Sequence, residues 1–482
     1  MSDRLPVDVV FQGDPFDRDA VIHTLRHLAM RAGWTLCSGA EKRLVYATTE
    51  RPDEIRAGGS DLIILSSEAV RKHIAEGRDP IPVLKTHPDK LPFYHAGAIA
   101  EYRQGWINGD VVAGTHALLN LMYERRNRLP ARDGWILFRD DWWVKEGFEN
   151  PEPLADLWLD CVAGEAQKIG WPVVQESTQG YTDSVRGTIV LTHDVDYLPT
   201  STNRGLPRFL RALLRQLLVR RNVGDAWQIL NRYGKDVFRA IPYNGLNTIT
   251  SREAAEGARS SCQFTIRKRH RFDPAYNLQK PDAGIDLNGL TKKGFEICLH
   301  GSYKAGRTPG QLATEKTEME HILGMQVSGH RQHYLNLHPS TFFPEVEKAG
   351  FLYDLSVGYN DCSGPRAGTL FPYRPYNMEN SKPFTLWEIP FILMDTTLAT
   401  TYRFSPEQAF RHCMDKIGEV NKARGCVSII WHQEQLGGPL DPGYDEVYWR
   451  ILKELRNQGL RMTSGQKIIQ ELDTLWNRTI EE

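Results

Sequence analysis

The sequence has no paired cysteine motif and no long apolar run. Its seven cysteines are odd in number and scattered along 482 residues without a CxxC pair, which is typical of reduced thiols in a cytoplasmic protein. No stretch reaches the ~18 uninterrupted apolar residues of a membrane-spanning helix. The opening MSDRLPVDVVFQGDPFDRD lacks the basic and apolar regions of an export signal. We therefore expect a cytoplasmic protein without a membrane span.

The sequence also has no excess of positive or negative charge. The 59 Lys and Arg residues nearly balance the 60 Asp and Glu residues, so the net charge gives no reason to expect a nucleic-acid partner. No dinucleotide-binding or phosphate-binding glycine pattern follows the first strands. The length exceeds that of one ordinary domain core, which favours two parts.

Two parts differ in how their predicted strands end. Residues 1–185 contain the strand-like runs VDVVF, RLVYAT and DLIILS and a helical pattern closed by Gly33. From 186 onward the strand-like runs TIVL, FEICL and CVSII each lead into polar residues. Parallel barrels and open α/β folds both have their reactive groups there, at the carboxyl ends of strands. We predict an α/β domain of unassigned role over 1–185 and a second α/β part, a barrel or an open parallel sheet, over 186–482.

One segment departs from this pattern. Residues 207–221, PRFLRALLRQLLVRR, predict a basic amphipathic helix within an insertion near 204–245. Its leucine face either packs on the barrel or contacts an anionic membrane surface as a peripheral helix.

Carboxylates and imidazoles gather at the predicted strand ends. They are Asp194, Asp196, His300, His333 and His432. This combination of side chains is the ligand set expected of a catalytic zinc-like site with one open position.

Five motifs in order carry a family resemblance. THDVD, LHGSYKA, GHRQHY, SVGYNDCSGPRAGTLFPY and IIWHQ resemble the five motifs of the polysaccharide deacetylase family, the NodB-like carbohydrate esterases. The match covers roughly residues 186–470, and the extra N-terminal domain is similar to that of divergent members. The resemblance implies a distorted (β/α) barrel and metal-dependent removal of an acyl group from an amino sugar.

The resemblance also implies roles for individual residues. Asp194 corresponds to the general base and Asp196 to a metal ligand, although Val195 separates them where the family has adjacent aspartates. Arg331 corresponds to the residue that holds the base carboxylate ionised, and His432 to the general acid.

The second motif departs from the family pattern. It keeps the first metal histidine, His300, but has Lys304 where the second would fall. His333 is the nearest replacement as third ligand, with His193 and Asp194 as further candidates. Lys304 is then available to contact an anionic group of the substrate.

Four further residues are candidates for substrate binding or for stabilising the reaction. Tyr334 follows the third motif and is a candidate donor to the tetrahedral oxyanion. Arg366 presents a planar fork of donors. Trp387 and Trp431 offer aromatic faces on which a sugar ring could stack.

These observations predict a cytoplasmic hydrolase with one divalent metal, expected to be zinc. Its substrate would be an N-acylated amino sugar in cell-surface polysaccharide assembly, carried as a nucleotide sugar or lipid-linked glycan, and the expected acyl group is N-acetyl. Two alternatives remain open. One is hydrolysis of a small non-sugar amide or formyl group by the same fold. The other is a non-catalytic sugar-binding scaffold that has lost its metal.

Overall fold

The structure is a computed structural model. It describes residues 4–49, 54–66, 104–107, 109–126, 136–145, 147–172, 187–198, single positions between 210 and 231, 245–280, 285–436 and 443–481. The predicted boundary at 185/186 lies outside the described residues, as does most of the predicted basic helix over 207–221. Both therefore stay predictions.

The first sheet has five parallel strands in the order β2–β1–β3–β4–β5. They are β1 (Leu5–Gln12), β2 (Trp34–Leu36), β3 (Lys42–Thr48), β4 (Leu62–Ser66) and β5 (Trp106–Ile107). The three runs predicted from the sequence lie within β1, β3 and β4, so that prediction is confirmed.

Five helices in the described part of residues 4–172 accompany this sheet. They are α1 (Arg18–Ala32), α2 (Val111–Leu119), α3 (Met122–Arg126), α4 (Trp142–Lys145) and α5 (Leu154–Lys168). The Asp17 side chain caps α1 by accepting a hydrogen bond from the Ala20 amide, and Gly33 ends it in the left-handed conformation, with φ 73°. The predicted end of this helix is therefore confirmed.

The second sheet is larger, and all of its strand pairs are parallel. Its strands follow the order β13–β10–β9–β8–β7–β6–β15–β14, and β16 also pairs with β6. They are β6 (Thr188–Val195), β7 (Ser261–Phe264), β8 (Glu296–Gly301), β9 (Gly329–Gln332), β10 (Tyr353–Asp354), β13 (Trp387–Glu388), β14 (Phe391–Met394), β15 (Cys426–Ile430) and β16 (Arg461–Thr463). A short antiparallel hairpin joins β11 (Tyr376–Asn377) to β12 (Lys382–Pro383).

Helices alternate with most of these strands, and the parallel sheet curls into a distorted (β/α) barrel, as predicted. They are α6 (Gly245–Ala255), α7 (Leu287–Lys292), α8 (Gln311–Leu323), α9 (Pro339–Lys348), α10 (Pro406–Ala423), α11 (Tyr444–Asn457) and α12 (Gly465–Asn477). Among the described residues, no helix has the length and apolar character needed to cross a bilayer.

The barrel and the first sheet share a hydrophobic core. One cluster of buried side chains extends from Val7 in β1 to Phe264 in β7 and Phe342 in α9. The barrel strands are buried on both faces: every residue of β6 and β8 is buried. Polar side chains on such strands are therefore held in fixed positions, which is what a reactive site at the strand ends requires.

Candidate active site

The candidate site lies where four barrel strands end. Asp194 is the second-to-last residue of β6, His300 is in β8, and Arg331 is in β9. His432 follows the end of β15 by two residues. Because these strands belong to one parallel sheet, their carboxyl ends lie at the same edge. The register pairs His300 directly with Arg331.

Asp196, His300 and His333 form a triad of side chains around one point. Asp196 Oδ1 lies 3.8 Å from His300 Nε2 and 3.7 Å from His333 Nε2, and the three atoms all lie within 4.8 Å of one another. Ligands about 2.0–2.2 Å from a shared zinc ion have separations close to these. Within the described part of the chain, no other group of three such residues converges in this way.

The hydrogen bonds behind the triad fit a metal cation. His300 Nδ1 lies 3.0 Å from the Arg331 carbonyl oxygen, and His333 Nδ1 lies 3.4 Å from Asp273 Oδ1. Both contacts suit a proton on Nδ1, which leaves the Nε2 lone pairs facing the triad. Asp196 Oδ1 is buried without a hydrogen-bond partner, and such an atom needs a cation or proton.

Asp194 stands beside the triad as an ionised carboxylate. Burial would raise its pKa, but the neighbouring Arg331 guanidinium and His300 outweigh burial and hold the pKa of Asp194 below its usual value. Arg331 Nη1 donates to Asp194 Oδ1 at 2.6 Å. The other oxygen, Oδ2, lies 3.7 Å from His300 Nε2. One oxygen is therefore fixed by Arg331 while the other faces the triad.

His432 is held in its protonated form. Its Nδ1 lies 2.6 Å from Asp395 Oδ1, and its backbone amide donates to Asp395 Oδ2 at 2.8 Å. Burial would lower the pKa of His432, but the Asp395 carboxylate more than compensates and raises it to about 10. The imidazole is thus a cation with a proton to donate near neutral pH.

Sequence reasoning missed two acidic residues that position these groups. Asp395 directly follows β14, so the run FILM leading into an aspartate carried the same strand-end signal that identified Asp194. Asp273 had no such signal, because it lies nine residues beyond β7. It accepts hydrogen bonds from the Arg269, His270 and Tyr303 amides, which fixes the carboxylate behind His333.

Tyr334 lies beside His333, and Lys304 follows a tyrosine whose ring is close to that of Tyr334. The Tyr334 ring is 37% exposed and its centroid lies 4.7 Å from that of His333. Its backbone is left-handed, with φ 58°, a conformation that a non-glycine residue adopts at a cost. Lys304 is exposed and follows Tyr303, whose ring lies 5.8 Å from that of Tyr334.

The structure does not support a substrate contact for Arg366. Its guanidinium is buried, forms two hydrogen bonds to the Glu124 carboxylate, and donates to the Gly358 carbonyl oxygen at 3.0 Å. Glu124 belongs to α3, so this ion pair joins the barrel to the N-terminal part. Arg366 is corrected to a structural residue because its donors face protein acceptors.

Trp431, Trp387 and His193 also differ from expectation. The two tryptophan side chains are 1% and 0% exposed, so neither presents a face to a sugar, and Trp431 packs 5.4 Å from the Tyr448 ring. His193 Nδ1 contacts the Trp431 carbonyl oxygen and its Nε2 contacts Glu253, both at 2.8 Å. Both ring nitrogens are engaged, so His193 is not a metal ligand.

Comparisons with known proteins give structural neighbours only. No family model matches the sequence, and no curated protein matches it. A structure from Mycobacterium smegmatis, described provisionally as a polysaccharide deacetylase, is 13% identical with a TM-score of 0.37, covering 61% of this chain and 92% of that one.

Two further structures are similar. A Puue allantoinase is 16% identical with a TM-score of 0.41, covering 61% of this chain and 93% of its own. A Pseudomonas aeruginosa PAO1 protein, again provisionally described as a polysaccharide deacetylase, is 17% identical with a TM-score of 0.34, covering 48% of this chain and 73% of that one.

Proposed function

We propose that this protein is a metal-dependent amide hydrolase that removes an acyl group from an amino sugar. The observation that carries the proposal is the triad of Asp196, His300 and His333, with an ionised carboxylate on one side and a protonated imidazole on the other. This arrangement provides a metal position, a base and an acid at one strand edge, which are the parts that amide hydrolysis requires.

The three triad residues would hold the metal, and zinc is the expected ion for two imidazoles and a carboxylate. When bound, such an ion lowers the pKa of a coordinated water from about 15.7 towards 7 and polarises the amide carbonyl. Three protein ligands leave one position open, as in catalytic zinc sites.

Asp194 acts as the general base. Its free oxygen faces the triad and accepts a proton from water as the water oxygen bonds to the amide carbon. Arg331 keeps the carboxylate ionised and prevents it from rotating away. Tyr334 would donate a hydrogen bond to the developing oxyanion.

His432 acts as the general acid. An amine is a poor leaving group unless it is protonated, so the carbon–nitrogen bond breaks as His432 donates its proton to the nitrogen. Asp395 positions the imidazole and stabilises its charge. The products are a carboxylic acid and a free amino group.

The proposed substrate is an N-acetylated sugar carried on a nucleotide or a lipid, acted on in the cytoplasm during cell-surface polysaccharide assembly. The exposed Lys304 supports an anionic carrier, because a cation beside the mouth would attract phosphate. The motifs that resemble polysaccharide deacetylases support the sugar.

Acetate release tests the function. Purified protein, stripped of metal and reloaded with zinc, cobalt or manganese, is incubated with free, nucleotide-linked and lipid-linked N-acetyl sugars. We expect metal-dependent acetate release that a chelator abolishes and that Asp194→Asn lacks. If the protein releases an acyl group only from small formyl compounds or non-sugar amides, that class would replace the N-acetyl sugar as the proposed substrate. Sugar binding without hydrolysis or bound metal would indicate the scaffold.

A further inference from the structure

Exposed apolar side chains are concentrated in one short stretch of the chain. Of the twelve large apolar residues that are exposed among those the structure describes, seven lie between positions 210 and 230. They are Leu210, Leu214, Leu217, Leu218, Val223, Trp227 and Leu230. Single exposed apolar residues are ordinary, but a cluster of this kind marks an interaction surface.

The body of the protein leaves most of the large apolar side chains described in this stretch uncovered. Leu218 is 71% exposed and Trp227 is 61% exposed, whereas Ala226 and Ile229 are buried at 5% and 0%. The stretch is therefore anchored through Ala226 and Ile229 while the larger side chains face outward. Of the five described leucines in 207–221, Leu210, Leu214, Leu217 and Leu218 are exposed and Leu213 is half-buried.

The same stretch is strongly cationic. Between positions 210 and 230 the sequence contains one acidic residue, Asp225, and four arginines, Arg211, Arg215, Arg220 and Arg221, and Arg204 and Arg208 precede it. The chain as a whole is almost neutral, with a net charge of −1, so this cationic stretch is a local feature. Its partner should be both apolar and anionic.

We propose that the stretch from Leu210 to Leu230, the basic apolar stretch, binds the surface of an anionic lipid bilayer. Leucine and tryptophan side chains insert at the headgroup boundary while arginines contact anionic headgroups. A second copy of this chain fits poorly, because two arginine-rich surfaces would repel. A nucleic acid would satisfy the arginines but would leave the leucines exposed to water.

Vesicle co-sedimentation of the full-length protein tests this proposal. Vesicles of phosphatidylcholine alone are compared with vesicles containing about a quarter phosphatidylglycerol. We expect at least about tenfold tighter binding to the anionic vesicles, which weakens as NaCl rises from about 0.1 to about 0.5 M. No binding, or equal binding to both vesicles, would overturn the proposal.

A double variant tests the apolar contribution. Leu218→Glu with Trp227→Glu should reduce binding to anionic vesicles at least about tenfold, while Leu352→Glu serves as control, since Leu352 is 52% exposed elsewhere. Equal loss in the control would overturn the proposal. The proposal would also be overturned if the protein bound an RNA fragment more tightly than vesicles and the double variant kept that binding. Self-association of the protein that vesicles do not disturb would overturn it as well. The measurement needs no turnover, so its result is separate from that of the proposed hydrolase.

Discussion

Two groups of buried charged residues in this protein are similar in composition but differ in the hydrogen-bond partners of their carboxylate oxygens. At the junction of the two parts, Arg366 pairs with Glu124, and the Asp141 carboxylate accepts hydrogen bonds from the Tyr359 hydroxyl and the Trp142 amide. At the barrel mouth, Asp196 Oδ1 has no hydrogen-bond partner, and two imidazole nitrogens lie 3.8 and 3.7 Å from it.

The comparison shows that buried charge alone does not identify a site. At the junction the Arg366 guanidinium is paired with the Glu124 carboxylate, which suits an element that holds two parts together. At the mouth a buried carboxylate oxygen has no hydrogen-bond partner, which suits a site that binds a cation. Variants in the two regions should therefore differ: those at the mouth should change turnover, and those at the junction should change stability.

The largest effect is expected from Asp194→Asn. The amide cannot accept a proton from water, so kcat should fall by about 10⁴-fold, at the upper end of the range for general bases. Because Asp194 is outside the triad, zinc content should be unchanged. Acetate release and elemental analysis on the same sample check both parts, and a near-normal rate would end the assignment of the base.

His432→Ala should have a somewhat smaller effect that depends on the leaving group. We expect about a 10³-fold loss on an amide substrate. An ester with a good leaving group needs little protonation and should lose far less. Parallel measurements of kcat on a matched amide and ester test this difference, and equal losses on both would contradict the acid role.

Arg366→Ala should destabilise the protein without altering the chemistry. Leaving the Glu124 carboxylate buried and unpaired should lower the free energy of unfolding by about 3–5 kcal/mol. Arg456→Ala is the control, since its pair with Glu256 is partly exposed and should contribute no more than about 1 kcal/mol. Denaturant titration gives both values. A specific loss of kcat in folded Arg366→Ala would restore the substrate role.

The smallest effect concerns acid sensitivity at the junction. Burial, with smaller contributions from His116 and Arg26, lowers the pKa of His23 to about 3. The unfolded chain, with a pKa near 6.5, binds this proton more readily, so stability falls as pH drops below that value. Lowering the pH from ~7.5 to ~5.5 should therefore reduce the free energy of unfolding by about 1.4 kcal/mol through His23.

Denaturant titration at the two pH values checks this contribution. His23→Gln should reduce the loss of stability by the amount assigned to His23, whereas His321→Gln, on the exposed surface of α8, should not. An unchanged pH dependence in His23→Gln would show that another group is responsible.

The sequence predicted the strands and the polar residues that follow them better than it predicted side-chain environments. The pattern of apolar runs ending in polar residues placed Asp194, Asp196, His300 and His432 at one sheet edge, because parallel strands impose that geometry. The same pattern included His333, and the resemblance then singled it out as the replacement for the missing second metal histidine of the family.

The errors came from contacts between distant parts of the chain. Glu124, the partner of Arg366, lies 242 residues away, and no local pattern reports such a pairing. Trp431 follows a strand end just as His432 does, yet its ring turns into the core against Tyr448. Adjacent residues at a strand end point in opposite directions, and the sequence does not show which one faces the mouth.

The central claim is that Asp196, His300 and His333 hold one metal ion. Anomalous diffraction at the zinc edge, from crystals of the zinc-loaded protein, tests it most directly. We predict one peak about 2.0–2.2 Å from Asp196 Oδ1, His300 Nε2 and His333 Nε2, and no peak at this position in crystals of His333→Ala. A zinc-loaded crystal without a peak there, or with the peak at Asp395 and His432, would contradict the account.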